Sequence, residues 1–538
     1  MKTMQRRHFL KGTILSGAAA GLPARIQAAA EGRELVTVSV FHTTDLHGHI
    51  LPTSNYQGDS DLGGLARCAS QIRKWRSESP HHLLVDIGDV YQGTPVGWRT
   101  RGRLMIELFN KLGYDAWVMG NHEFDWGPEV VVDAIKRSRM PVLNGNLKLE
   151  GKLAGSLDDP GNPLAKVLPH TVKQVGGIKI GLIGMITPGL PYWLPEELRK
   201  GFEVLPPEKI LQSSVKHLRE VEKVAAVVAL GHFGLRDEDD FANPTRSLLE
   251  TDNGVDVFIA GHTHRNHPQS MAGQSLYTQA DYFGIHCGRV DLVFDAESSA
   301  LLERKAITAL MDSRIDADPL VLEVAGDEID EARSYLKTEV GRVKGIISGR
   351  SEGPGQPSQL QRLIASSLEW AAARDEIEVD GVFHGTFGSG DLESGPIEIA
   401  DLWKVLPYEN QVVVLHLTRE EILAILNESL QVRSDRALYG FEVEVATAPA
   451  AKFERSSERF VRSLRCQRRP DAPVGHRYRI LCNAYDAQSG GKRLMRLRTL
   501  AQSPEVRSRM LSLSSREALI EFFKDRGEIE SKDLEVTG

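Results

Sequence analysis

The chain has 538 residues and a formal net charge of −8 at pH 7, and 26% of its residues are charged. That length exceeds what one hydrophobic core supports, so it predicts two or three domains. Five basic residues and no acidic residue fall within the first thirty positions, so 60 basic residues face 73 acidic residues in the remainder. A net acidic protein is repelled by the phosphate backbone of nucleic acids, so no nucleic-acid partner is expected.

The first thirty residues have the features of an export signal. The segment Gln5–Lys11 resembles the twin-arginine motif, a modest apolar stretch follows, and Ala28–Ala30 supplies small residues for cleavage. Pro23 and Arg25 interrupt the apolar stretch, which leaves it too short to span a membrane. We therefore expect residues 1–30 to be a signal peptide recognised by the twin-arginine export machinery. The remainder is expected in the periplasm, without a stable membrane anchor.

The first predicted strand ends in two candidate metal ligands. Val36, Val38 and Val40 alternate as in a buried strand, and Asp45 and His47 follow. Residues two apart on an extended segment point the same way, so one carboxylate and one imidazole can bind one ion. Asp-x-His at a strand end is more often an ordinary loop, so this pattern alone is weak.

Helices and further strands alternate after this point. One predicted helix presents Leu65, Ala69, Ile72 and Trp75 on one face, and another presents Leu104, Leu108 and Leu112 and ends at Gly113. A hairpin is predicted around Gly176-Gly177. Strands alternating with helices indicate an α/β layered domain.

Four more apolar runs end in polar residues of the same kind. These runs lead into Asp89, into Asn121 with His122 and Asp125, into His232, and into His262 with His264. In α/β sheets, sites form at the carboxyl ends of the strands. Five such ends therefore predict one shared site.

The segment 316–345 has a different pattern. Apolar residues recur every three or four positions, which predicts one long amphipathic helix: Leu322, Ala325, Ile329, Ala332, Leu336, Val340 and Val343. A flexible segment, Ser351–Ser358, comes next, and a second α/β domain closes with a helix over Arg516–Lys524.

The four cysteines are too few for a disulfide framework: Cys68, Cys287, Cys466 and Cys482. Cys466 and Cys482 flank a predicted hairpin and could pair in an oxidising compartment. Two buried free thiols are the alternative, and the sequence favours neither.

The motifs Asp-x-His, Gly-Asp, Gly-Asn-His-Glu-x-Asp, Gly-His and Gly-His-Thr-His together resemble those of the calcineurin-like metallophosphoesterases, and their order resembles the 5'-nucleotidase branch. The resemblance implies an α/β fold with a four-layer α/β/β/α sandwich over residues 34–312. A linker helix and flexible segment (313–350) and a second α/β domain for substrate binding (351–527) would follow.

The resemblance also implies two divalent metal ions. One would be held by Asp45, His47, Asp89 and His264, and the other by Asp89, Asn121, His232 and His262, with Asp89 bridging. Such oxygen and nitrogen ligands fit Mn, Zn, Fe or Co. Export in the folded state would allow the metal ions to be loaded in the cytoplasm. Loading there would shelter a weaker binder such as Mn from competition by Zn and Cu, which favours Mn.

A catalytic role is implied for two residues beside the ligands. His122 would stabilise or protonate the leaving oxygen, and Asp125 would orient it. The alternative for Asp125 is a helix N-cap before Gly127-Pro128. Three nearby histidines match no family role, and we expect them at the surface or behind the ligands: His42, His49 and His267.

The second half departs from the family pattern. Ser389 replaces an arginine, Lys492 replaces an aspartate, and Glu369 stands where a basic residue is common. Three matching residues are candidates for substrate binding: Tyr408, Asn410 and Tyr485. A nucleotide base would stack between the two tyrosines, with Lys492 or Arg493 as a replacement charge, unless the tyrosines are ordinary cleft or core residues.

The function indicated first is an exported, dinuclear metal-dependent phosphohydrolase acting on nucleotides or related phosphomonoesters. The same centre could cleave another ester, as in a sulfur-oxidation thiosulfohydrolase, although that branch departs from the intact Asn-His-Glu motif found here. A non-catalytic protein that binds a phosphorylated ligand is the third possibility. It has no use for His122 and Asp125.

Overall fold

The computed structural model describes residues 32–250, 253–351, 356–385, 390–432, 436–447, 459–489, 491–506 and 509–534. The predicted signal peptide and Ser389 lie outside these ranges. No helix within them combines the length and apolar character needed to cross a bilayer.

The first domain is built around two sheets. One has seven strands, in the order Leu301–Leu310, His286–Asp295, Leu35–Thr43, His82–Asp86, Ala116–Trp117, Val142–Leu143 and Val167–Leu168. The other has six strands, in the order Asn266–Ala272, Ser275–Ala280, Val257–Ala260, Ala226–His232, Ile178–Ile186 and His170–Val175. In each sheet the central strands run parallel, so their carboxyl ends lie on one edge.

The two sheets pack face to face because strand residues alternate in direction. Val38, Val40 and Val85 of the first sheet share a core with Leu182 and Leu230 of the second. Phe41, which points the other way, packs among the outer helices. A third core lies between the second sheet and its own helices. The predicted four-layer α/β/β/α sandwich is confirmed.

Helices cover the outer faces of both sheets. They span Leu65–Glu78, Pro95–Thr100, Arg103–Leu112, Pro128–Arg137, Glu208–His217 and Thr245–Glu250. A small three-stranded sheet comprises Phe202–Val204, Leu147–Leu149 and Lys152–Leu153. Gly113 ends one helix at a φ of 70°, as predicted, and the hairpin at Gly176-Gly177 is also confirmed.

The long helix predicted over 316–345 is shorter than expected. It spans Pro319–Leu336, and the Asp318 side chain accepts a hydrogen bond from the backbone N–H of Leu320 at its start. Residues Glu339–Lys344 form a strand instead, which is a correction. A β-bulge after Glu339 turns Val340 and Val343 to the same buried face although they are three apart, so their spacing imitated a helix.

The strand Glu339–Lys344 belongs to the sheets of the second domain. The three-stranded sheet has the order Gly395–Glu398, Glu339–Lys344 and Glu528–Glu530. A five-stranded sheet has the order Ala437–Tyr439, Gly381–His384, Tyr478–Asn483, Val412–Leu417 and Arg509–Met510, and a two-stranded sheet pairs Phe441–Thr447 with Arg459–Cys466. The helices are Gln359–Arg374, Ile399–Val405, Arg419–Gln431, Ala484–Ala487, Met495–Ala501 and Ser515–Arg526. The last confirms the predicted closing helix.

The predicted hairpin between Cys466 and Cys482 is not formed. Cys466 ends a strand that pairs with Phe441–Thr447, whereas Cys482 pairs in a different sheet. All four cysteines are free and buried.

Candidate active site

The carboxyl edges of the two sheets bring six of the seven predicted ligands together in two groups. Asp45, His47, Asp89 and His264 form one group whose ligand atoms all lie within 4.8 Å of one another. Asp89, His232 and His262 form a second group by the same measure. Asp89 belongs to both, which is the arrangement expected of a bridging carboxylate.

The backbone is strained at most of these residues. Asp45, His47, Asp89, His262 and His264 all have φ between 48° and 71°. This left-handed region costs an L-residue about 1–2 kcal/mol, and Asp and His tolerate it better than most others. Strain of this kind persists where the surrounding fold holds it and clusters at functional sites.

Gly120 shows how closely the backbone approaches the ligands. A Cβ at this position would lie 2.2 Å from Asp89 Oδ1 and 2.6 Å from His232 Nε2. Any side chain would therefore displace the shared carboxylate. This explains the glycine that precedes Asn121.

Three ligand imidazoles are oriented by hydrogen bonds at their Nδ1 atoms. His47 donates to Gln92 O at 2.8 Å, His232 donates to Ile87 O at 2.6 Å, and His264 lies 2.9 Å from the Tyr56 hydroxyl. A bond at Nδ1 leaves Nε2 for a metal ion. Tyr56 was not identified from the sequence because no local motif marks it.

The donor set fits a metal pair. His47 Nε2 lies 3.1 Å from His264 Nε2, and His232 Nε2 lies 3.0 Å from Asp89 Oδ2. Ligands about 2.1 Å from one ion lie about 3.0–3.4 Å apart in octahedral or tetrahedral geometry. Asn121 Oδ1 is also buried without a hydrogen-bond partner among the described residues, as an oxygen reserved for an ion would be.

Glu123 holds the two ligand loops in place. Its carboxylate accepts hydrogen bonds from the backbone N–H groups of Asp89 at 2.9 Å, Val90 at 2.7 Å and Gly120 at 2.5 Å. Burial and the neighbouring Asp89 raise the pKa of Glu123 to about 7. The sequence analysis gave this residue no role, although the Gly-Asn-His-Glu motif contained it.

His122 and Asp125 form a pair at the edge of the metal site. His122 Nδ1 lies 2.7 Å from Asp125 Oδ2. Burial lowers the pKa of His122, but the carboxylates of Asp125 and Asp89 outweigh it and raise the pKa to about 10. The helix Pro128–Arg137 has no side-chain cap, so Asp125 is not its N-cap. The pair can present a charged imidazolium to a reacting group.

A cleft of about 860 Å³ between the two domains opens onto this pair. The first domain contributes Asn121, His122 and Asp125, and the second contributes the three predicted substrate residues: Tyr408, Asn410 and Tyr485. Tyr408 is 41% exposed, so it is not a core residue. Trp193 and Phe241 also line the cleft, and the Trp193 ring lies 5.1 Å from that of His262. Neither aromatic was identified from the sequence.

The two candidate replacement charges lie in different places. Arg493 lines the cleft and its guanidinium lies 3.3 Å from the Tyr485 hydroxyl. Lys492 instead packs over the rings of Tyr192 and Phe241, at 4.9 and 4.6 Å. Glu369 lies in a separate groove, where it pairs with Arg468 at 2.7 Å.

The three histidines without a family role are not alike. His42 is fully buried and has no hydrogen-bond partner on its ring among the described residues, so the expectation of a surface position is wrong. His49 stacks on Phe283 at 3.8 Å behind the ligand loop. His267 is partly buried on an edge strand.

Two family models match the chain. The calcineurin-like phosphoesterase model matches residues 38–266, and the 5'-nucleotidase C-terminal domain model matches residues 339–498. The snake venom 5'-nucleotidase of Gloydius brevicauda is 27% identical over 69% of this chain and 66% of its own length. The 2',3'-cyclic-nucleotide 2'-phosphodiesterase/3'-nucleotidase of Haemophilus influenzae is 31% identical over 51% of this chain and 42% of its own length. The chain thus spans two thirds or less of these relatives.

The fold has solved counterparts. A putative 5'-nucleotidase from Staphylococcus aureus superposes with a TM-score of 0.72 at 19% identity, covering 91% of this chain and 97% of that one. The fold and the candidate metal site are therefore those of a two-domain protein with a metallophosphoesterase domain. More narrowly, the chain combines a calcineurin-like phosphoesterase domain with a 5'-nucleotidase C-terminal domain, and its homologues are named 5'-nucleotidases and nucleotide phosphoesterases.

Proposed function

We propose that this chain is an exported, dinuclear metal-dependent phosphohydrolase that acts on nucleotides or related phosphomonoesters. One observation carries the proposal. The His122–Asp125 pair and two candidate ligands of the first domain, Asn121 and His262, share a cleft with Tyr408 and Tyr485 of the second. A phosphate at the ligands and a base at the tyrosines fit such a cleft.

Each part of the site has a distinct task in this proposal. Two bound metal ions would neutralise the phosphate oxygens and supply a nucleophile near neutral pH. His122, held by Asp125 and charged, stabilises or protonates the leaving oxygen. The rings of Tyr408 and Tyr485 bind the base by stacking, which discriminates little among bases.

We propose residues 34–312 as the catalytic domain and residues 313–338 as the connector. The second domain then begins at the strand Glu339–Lys344, because this strand pairs with Gly395–Glu398 and Glu528–Glu530. The twin-arginine export and periplasmic location rest on the segment Gln5–Lys11.

We also propose Mn as the resident metal, since Asp, Asn and His ligands suit it and cytoplasmic loading would precede competition from Zn and Cu. Metal analysis of protein exported by its natural route tests this, and a predominance of Zn would overturn it.

A phosphate-release screen over nucleotides, sugar phosphates and phosphodiesters tests the activity. Within it, Tyr408→Ala should raise KM for nucleotides about 5- to 150-fold, because stacking contributes about 1–3 kcal/mol per base. Turnover of a small aryl phosphate should stay unchanged. Equal losses on both substrates, or no nucleotide hydrolysis by the parent protein, would contradict the proposal.

A further inference from the structure

Glu409 crosses from the second domain into the first at the base of the cleft. Its side chain is only 5% exposed. Its Oε1 accepts a hydrogen bond from the Trp98 indole at 2.9 Å, and its Oε2 accepts one from the Trp126 indole at 3.0 Å. These partners lie 311 and 283 residues away in the chain. We call this set of three side chains the Glu409 bridge.

Two arginines balance the buried charge of the bridge. Arg516 Nη2 lies 3.6 Å from Glu409 Oε2, and Arg101 Nη1 lies 4.0 Å from the same oxygen. The Arg101 guanidinium also packs over both indole rings. Arg516 also donates to the carbonyls of Leu406 and Pro407, both at 3.1 Å. Tyr408 is therefore anchored on both sides in the sequence, by Arg516 at the two residues before it and by the bridge at Glu409 after it.

The bridge joins two segments that carry residues of the cleft. Glu409 lies between Tyr408 and Asn410 in the sequence, and all three residues line the cleft. Trp126 follows Asp125 of the proposed catalytic pair. A hydrogen bond to a carboxylate is shorter and stronger than one to a neutral acceptor. The bridge therefore ties the residue next to Tyr408 to the residue next to Asp125.

We propose that Glu409 is a positioning residue for nucleotide specificity, which holds Tyr408 across the cleft from His122 and Asp125 through the indoles of Trp98 and Trp126. This inference rests on the proposed nucleotide hydrolysis. It concerns a residue whose two carboxylate oxygens bond the indoles of Trp98 and Trp126.

A carboxylate is needed because both partners are donors. Two carboxylate oxygens accept from two indole N–H groups, whereas a glutamine offers one oxygen and turns an N–H₂ donor toward the other indole. Glu409→Gln thus removes one hydrogen bond and leaves the shape of the side chain nearly unchanged. Trp126→Phe removes the matching donor and keeps an aromatic ring, so it tests the same contact from the other domain.

The experiment measures KM and kcat for a nucleoside monophosphate and for a small aryl phosphate. Glu409→Gln should raise the nucleotide KM about 10- to 100-fold, the range for losing a charged hydrogen bond. The kcat on the aryl phosphate should fall less than threefold. Trp126→Phe should act in the same direction, and the double variant should be no worse than the stronger single one, because both remove one contact.

Glu331→Gln is the matched control. Glu331 pairs with Arg99, next to Trp98, but its side chain is 61% exposed. Surface pairs of this kind contribute little, so all constants should stay unchanged.

The outcomes separate the two proposals. If the parent protein hydrolyses nucleotides but Glu409→Gln alters both substrates equally or neither, the positioning role is wrong. Additive losses in the double variant would also overturn it. If the parent protein hydrolyses the aryl phosphate and no nucleotide, the proposed function itself fails.

Discussion

Tyr56→Phe should weaken one of the two metal sites and spare the other. The Tyr56 hydroxyl lies 2.9 Å from His264 Nδ1, and His264 belongs to the ligand group that contains Asp45 and His47. Removing such a contact behind a ligand typically costs 10- to 100-fold in metal affinity, or about 1.4–2.7 kcal/mol. Tyr56 is 59% exposed, so water can replace the hydroxyl, and we expect about tenfold.

The assay is a chelator titration with the released metal counted. The first equivalent of metal should be released from the Tyr56→Phe protein at an about tenfold lower chelator concentration than from the parent protein. The second equivalent should be released at the same concentration from both proteins. The Tyr56 ring still stacks on Tyr282, at 4.4 Å, so folding should be unaffected. Tyr485→Phe is the control, because its hydroxyl contacts Arg493 rather than a ligand. Superimposable curves, or equal weakening of both sites, would refute the reasoning.

Three further predictions concern the same domain. Asp89→Asn should abolish turnover and lower metal content, because a neutral amide binds two ions poorly; activity with full occupancy would contradict the bridging role. His122→Ala should lower kcat roughly 10²–10⁴-fold at near-normal metal content, and loss of metal would show that His122 is a ligand. Burial lowers the pKa of His42 from 6.5 to about 3. Below about pH 6.5 the unfolded chain therefore binds a proton that the buried imidazole does not. The stability that the neutral His42 contributes is complete above about pH 6.5 and is lost as the pH falls toward 3. His42→Leu should therefore reduce the loss of unfolding free energy between pH 7.5 and pH 5 by about 2 kcal/mol, and identical slopes in urea titrations of both proteins would disprove this.

The layered first domain and its candidate metal ligands were accessible from the sequence. Asp45, Asp89, Asn121 and His264 each follow a strand signalled by its own apolar run. Parallel strands end on one edge, so local patterns were enough to place these side chains together. The same reasoning failed at residues 339–344, because a β-bulge gives strand residues the three-residue spacing of a helix.

What the sequence determined by itself is the set of groups that can bind metal and transfer a proton, since each is part of a short motif tied to one strand end. The tertiary structure alone decided what faces that centre. Lys492 stands near Arg493 in the chain but packs on Tyr192, and Glu409 bonds Trp98 and Trp126 of the other domain. Such contacts join residues hundreds of positions apart, and no local pattern encodes them. They depend on how the two domains meet, and that arrangement shapes the cleft beside the candidate metal site.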